Sequence, residues 1–271
     1  MPDLDPPRTI SAGDAELVVE VLGEGVPVLV IQTALTVDEL QPLAEGLATT
    51  GRFRVIHYRR RGYAGSSPLR APRTIGAEAE DAAAVLEALD LTPAHLVGVS
   101  FSAAIALTLA GTRPDLVRRA AVVEPPPAGT PGAEQMRRST RELIDTQATR
   151  GTEARLDEFM TMLVGPDWRD APEEVIGGRV VDMERDAHAF FGSDLPALLA
   201  WNPDDAELRS VHAEVLWVGG DQSPPMFGEM RDRLRRLVPL YSEVTVRGAG
   251  HQLASTHPAV LASALVAHFT E

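Results

Sequence analysis

The sequence predicts an α/β fold: a mostly parallel central sheet with helices on both faces, interrupted by one helical insertion. Three observations predict it. Short β-branched runs alternate with helix-length stretches from residue 54 to residue 124; the alternation stops between Pro125 and about Arg209, where no convincing strand appears; and it resumes from Glu214 onward. The expected core is 1–125 and 210–271, with the insertion at 126–209. At 271 residues, 44% hydrophobic and 24% charged, the chain can bury one sizeable core and lacks the composition of disorder.

In order, ELVVEVL at 16–22 alternates well enough for a strand, and GEGVP at 23–27 leads into VLVI at 28–31, so the opening reads as a hairpin. A helical stretch follows at about 37–48, then strand RVIHY at 54–58, a helix at 75–89, strand HLVGV at 95–99, a helix at 102–110 and strand RAAVVE at 119–124. PPPAGTPG then breaks the composition, and four helices are expected at roughly 132–149, 152–164, 172–190 and 195–201. Strand EVLWV at 214–218, a helix at 225–237, strand EVTV at 243–246 and a helix at 258–269 complete the chain.

Two absences narrow the chemistry. All 25 basic residues are arginine, so there is no P-loop lysine and no Schiff base; with no cysteine there is no thiolate nucleophile, zinc thiolate or disulfide. A formal charge of −14 repels phosphate backbones and anionic lipid surfaces. The one basic cluster, Arg59-Arg60-Arg61, runs straight into Gly62 and reads as a structural loop. MPDLDPPRTI carries acid and proline where a signal peptide is basic and then apolar, and no apolar run approaches the length of a membrane span, so a cytoplasmic location is expected. Gly23-x-Gly25 opens a strand rather than a helix and is no dinucleotide fingerprint.

The chemistry-bearing stretch is Gly98-Val99-Ser100-Phe101-Ser102, between an apolar strand and the all-apolar SAAIALTLAG. A serine at such a junction is forced into a tight turn that lifts its hydroxyl above the sheet beside helix-start amides. A serine there is more often only a helix cap. Two further elements argue for chemistry: Gly219-Gly220-Asp221 follows strand EVLWV, and Gly248-Ala249-Gly250-His251 follows strand EVTV, so an acid and a base both sit past strand ends. Histidine can activate a hydroxyl, and an acid can fix its tautomer; Asp221 is the expected acid, with Glu124, at the end of RAAVVE, as the alternative.

These residues resemble the α/β-hydrolase family, whose G-x-S-x-G elbow is matched at Gly98 and Ser100 and departed from at Ser102, and whose order of serine, aspartate and histidine is kept. The hairpin, the RRRGYAGSS loop, the elbow, the insertion and the last two strands also fall in the family's order. Two departures stand out: Gln32-Thr33 replaces the usual His-Gly, and Arg59 and Ala64 replace the usual aspartate and glycine around RGYAG.

The resemblance implies a cofactor-independent, metal-free serine hydrolase acting on a carboxylic ester, lactone or thioester of a largely apolar small molecule. The insertion becomes a cap, with Gln32, Trp168, Phe190, Phe191 and Trp201 as candidate pocket residues. The oxyanion donors expected are the amides of Phe101 and of Ala34, or else Thr33, with the side chains of Gln32 and Thr33 as further candidates. Carbon–carbon cleavage, lyase or cyclase chemistry on the same machinery is the alternative, as is a silent ligand-binding member. Neither nucleic acid nor membrane is an expected partner, and a homodimer is left open.

Overall fold

The computed structural model of the chain describes residues 6–145, 151–163 and 165–271. Eight strands form one sheet in the order β1-β2-β4-β3-β5-β6-β7-β8. β1 (Arg8–Ala12), β2 (Ala15–Leu22) and β4 (Phe53–Tyr58) are antiparallel neighbours. β3 (Val26–Ile31), β5 (Ala94–Val99), β6 (Val117–Val123), β7 (Glu214–Gly220) and β8 (Tyr241–Val246) continue from β4 in parallel.

The expected opening hairpin therefore needs correction. The hairpin is β1–β2, turning at Gly13, and VLVI pairs with β4 and β5 instead of β2. The burial patterns explain this. β2 alternates between buried and more accessible positions, as a strand near an edge does, whereas Val28 to Ile31 are fully buried and suit a strand covered on both faces.

One face of the sheet carries α2 (Ile75–Ala88), α3 (Phe101–Thr112) and α10 (Pro225–Leu237); the other carries α1 (Gln41–Ala48) and α12 (Pro258–Thr270). α1 starts four residues later than expected because Pro42, fixed in φ and without an amide hydrogen, occupies its first turn. α3 is apolar all round because it is enclosed all round, from Phe101 to Ala110 with little exception.

Between β6 and β7 lie α4 (Pro131–Asp145), α5 (Thr152–Leu163), α6 (Glu173–Ile176), α7 (Val180–Ala189), α8 (Leu195–Ala200) and α9 (Asp205–Arg209), with no strand among the described residues. Positions 146–149 and 164 of the expected helices lie outside those residues. The single helix expected over 172–190 is two: α6 closes on Gly177 in the left-handed conformation (φ 81°), and α7 starts afresh. α7 then runs through a π-helical turn, Phe190–Asp194, into α8. A short α11 (Leu253–Thr256), not anticipated, precedes α12.

The arginine cluster is structural, as its sequence context suggests. Arg61 pairs with Asp81 at 2.7 Å, and Arg59 with Asp38 at 2.6 Å. Arg60 is 1% exposed, and its guanidinium binds both oxygens of Asp194, at 3.0 and 2.6 Å, and Glu78 at 3.2 Å. Burial opposes the charge, but the carboxylates of Asp194 and Glu78 outweigh it and hold Arg60 above its ordinary range. Asp194 belongs to the π-helical turn, so this ion pair fastens the inserted segment to the sheet.

Removing Asp194 takes away the two-oxygen partner of Arg60 and leaves the buried guanidinium with Glu78 as its remaining carboxylate. Asp194→Ala is expected to cost about 3–5 kcal/mol of unfolding free energy, read from urea denaturation. A loss under about 1 kcal/mol would show that Glu78 alone suffices to pair Arg60.

Candidate active site

β5 ends at Val99, level with Val123 of β6, and Ser100 and Glu124 each follow by one residue. Both adopt positive φ, 49° and 43°, which L-residues seldom hold outside functional turns. The Ser100 amide bonds Val123 O at 2.8 Å, and the Glu124 amide bonds Val218 O at 3.0 Å, so both turns are stitched to the neighbouring strand. Gly98 is required by close approach: a Cβ there would stand 2.3 Å from Ser102 O. Ser102 fits the family's glycine position because its hydroxyl is satisfied locally, accepting from Val99 N at 2.9 Å and donating to Val99 O at 3.1 Å.

His251 Nε2 lies 3.1 Å from Ser100 Oγ, and His251 Nδ1 lies 2.7 Å from Glu124 Oε2. A carboxylate only accepts, so Nδ1 carries the proton and Nε2 is left to accept from the serine hydroxyl. The second Glu124 oxygen accepts from Gly220 N at 2.8 Å, and the side chain has no solvent exposure. The Phe227 ring stacks on the imidazole, with centroids 4.2 Å apart and planes 11° from parallel, and fixes its tilt.

Asp221, the acid expected from the sequence, is corrected here: the acid beside His251 is Glu124. β7 extends through Gly219 and Gly220, two residues further than expected, which carries Asp221 past the sheet edge into solvent. Its Oδ1 accepts from Gly248 N at 2.8 Å and shapes the turn before the histidine. Glu124 directly follows the strand next to that of Ser100, and its extra methylene spans to the imidazole.

A cavity of about 620 Å³ opens over Ser100 and His251. Thr33, Ala34, Val99 and Phe101 line it from the sheet side; Met136, Phe159, Phe190 and Leu198 line it from the inserted segment. The amides of Ala34 and Phe101 have no hydrogen-bond partner among the described residues, which leaves both available beside Ser100.

The loop of Ala34 is held by side chains. The left-handed residue is Leu35 (φ 65°), and its amide is held by Tyr63 Oη at 3.2 Å. Tyr63 Oη in turn donates to Asp194 at 2.5 Å, and Arg60 bonds the carbonyls of Gln32 and Thr33 at 3.1 and 3.2 Å. Thr33 Oγ1 donates to Val99 O at 2.9 Å and is thus already committed.

Of the pocket candidates, only Phe190 borders the cavity. Gln32 is fully buried, with Oε1 accepting from Arg60 N at 2.7 Å. Trp168 and Phe191 sit in the core of the inserted segment, Trp168 bonded to Asp157 and Phe191 capped by the Arg155 guanidinium at 3.8 Å. Trp201 packs toward α3, its Nε1 donating to Thr108 at 3.2 Å, and borders a separate cavity. The three aromatic residues are claimed by core packing and Gln32 by its bond to Arg60. Phe227, Tyr63 and Glu39 border or brace the site without a sequence signal that marks them out. Among the described residues no cluster of three or more His, Asp or Glu is placed to hold a metal ion, and no helix is long and apolar enough to cross a membrane.

No curated protein matches the chain by sequence. Its structure is similar to a thermophilic esterase from Thermogutta terrifontis (21% identity, 98% of each chain covered, TM-score 0.79). It is also similar to a bromoperoxidase from Bacillus anthracis (20% identity, 98% of this chain and 100% of that one, TM-score 0.80). A third likeness is to an alpha/beta hydrolase from Sphaerobacter thermophilus (28% identity, 97% and 100%, TM-score 0.75). The alpha/beta hydrolase family model matches residues 34–264, and with the sheet order and the elbow already described this places the chain in the alpha/beta hydrolase family.

Proposed function

We propose that the protein is a cofactor-independent serine hydrolase that cleaves a carboxylic ester, lactone or thioester of a largely apolar small molecule, with Ser100, His251 and Glu124 as its triad. The observation that carries this reading is the unbroken chain from Ser100 Oγ to His251 to the buried Glu124, at 3.1 and 2.7 Å, opening into a cavity walled mainly by apolar side chains.

In the proposed reaction Ser100 Oγ attacks the substrate carbonyl as its proton passes to His251 Nε2. Glu124 holds the Nδ1 proton and stabilises the imidazolium that forms. The carbonyl oxygen gains the negative charge and is met by the amides of Phe101 and Ala34, donors that need no particular side chain. The alcohol or thiol leaves with the proton from Nε2, giving an acyl-serine. Water, deprotonated by the same nitrogen, then releases the acid and restores Ser100. The segment 126–209 serves as the cap, since it supplies one wall of the cavity and is fastened by Asp194.

Turnover of a nitrophenyl ester tests this. Ser100→Ala is expected to lose several orders of magnitude in kcat, and Glu124→Gln about 10⁴, because an amide stabilises the wrong tautomer; Asp221→Asn is expected to lose far less. Ester turnover by Ser100→Ala at a tenth of the parent rate would remove the nucleophile, and a larger loss in Asp221→Asn than in Glu124→Gln would reverse the acid assignment.

A further inference from the structure

The cavity lining carries carboxylic acids that the proposed reaction does not use. None of the described residues lining it is an arginine, although the chain carries 25 cationic side chains, all arginine. Three carboxylic acids do line it: Glu39, Asp194 and Glu229. Asp194 is neutralised by Arg60, and Glu229 accepts from the amide of Gly132 at the start of α4. Glu39 is different. Its Oε2 accepts from Thr36 Oγ1 at 2.6 Å, while Oε1 has no hydrogen-bond partner among the described residues, and no cation pairs with it there.

The carboxyl sits at the seam between sheet and insertion. α6 ends over it so closely that a Cβ on Gly177 would stand 3.2 Å from its carboxyl carbon, and Gly178 faces Thr36. Burial pushes Glu39 above the ordinary carboxylate range, against the Thr36 hydrogen bond. A half-buried carboxyl without a cation gains from any N–H or O–H brought to its free oxygen, and repels a second carboxylate.

We propose that Glu39, oriented by Thr36, is a substrate-recognition subsite that binds the ammonium or hydroxyl end of an otherwise apolar ester and discriminates against acids. The inference deepens the hydrolase reading by naming the substrate class: an amine- or hydroxyl-bearing ester, not an anionic one. Glu39 touches substrate away from the reacting carbonyl, so its contribution falls on selection among substrates.

The test separates this inference from the hydrolase reading by measuring binding where no turnover occurs. Hexylamine, hexan-1-ol and hexanoate are titrated calorimetrically into Ser100→Ala protein at physiological salt, which screens the long-range field of the acidic surface. Hexylamine or hexanol is expected to bind roughly tenfold or more tighter than hexanoate, and Glu39→Gln in the same background is expected to erase most of that difference. Thr36→Val, which frees the carboxyl to turn away, is expected to weaken the preference and stands in if the glutamine variant does not fold. Equal affinity for hexanoate and hexylamine, or a preference unchanged in the Glu39 or Thr36 variant, overturns the subsite. Absence of ester turnover by the parent protein would overturn the hydrolase reading alone.

Discussion

A carboxyl group with no access to water is the constraint around which the site is built. Glu124 is enclosed at the end of β6, and its two oxygens can be satisfied only by the amide of Gly220 and Nδ1 of His251. Those two bonds tie β6, the end of β7 and the loop after β8 into one geometry. They also leave the histidine's other nitrogen facing the strained turn of Ser100. Three segments far apart in sequence are thus positioned by the demand of one buried acid, and the chemistry proposed for the serine follows from the tautomer that acid imposes.

The same logic recurs above the site with opposite charge. Arg60 is buried and must be paired; its partners are the carbonyls of the Gln32–Thr33 loop and a carboxylate of the inserted segment. Tyr63 bridges that carboxylate to the amide of Leu35. The loop that supplies Ala34 is therefore held by side chains. The left-handed residue of this loop is Leu35, and its amide is braced by Tyr63. The loop and the insertion share Asp194 as an anchor, through Tyr63 to Leu35 and through Arg60 to the carbonyls of Gln32 and Thr33.

The parallel sheet, the helical insertion and the elbow at Ser100 were legible in the sequence because each rests on local pattern: β-branched runs, loss of alternation, and an apolar strand and helix meeting at a serine between small residues. His251 was legible from its place after a strand. The acid was not, because two carboxylates followed strand ends and the choice depended on where β7 stops, a matter of two glycines that read equally well as strand or turn. The first hairpin was misplaced for a related reason: VLVI has the composition of an interior parallel strand, and adjacency in sequence says nothing of β4 passing between. Phe191 and Trp201 illustrate a third limit. An aromatic ring in an insertion can face a cavity or a core with the same sequence signature, and here ion-capped packing under Arg155 and the bond to Thr108 took them inward.

The central claim, that Glu124 sets the histidine, can be observed without any substrate. Proton magnetic resonance of the imidazole Nδ1–H reports its hydrogen-bond partner directly. A strongly downfield, exchange-protected signal is predicted in the parent protein and in Asp221→Asn, and its loss is predicted in Glu124→Gln. Survival of that signal in Glu124→Gln together with its disappearance in Asp221→Asn would contradict the account.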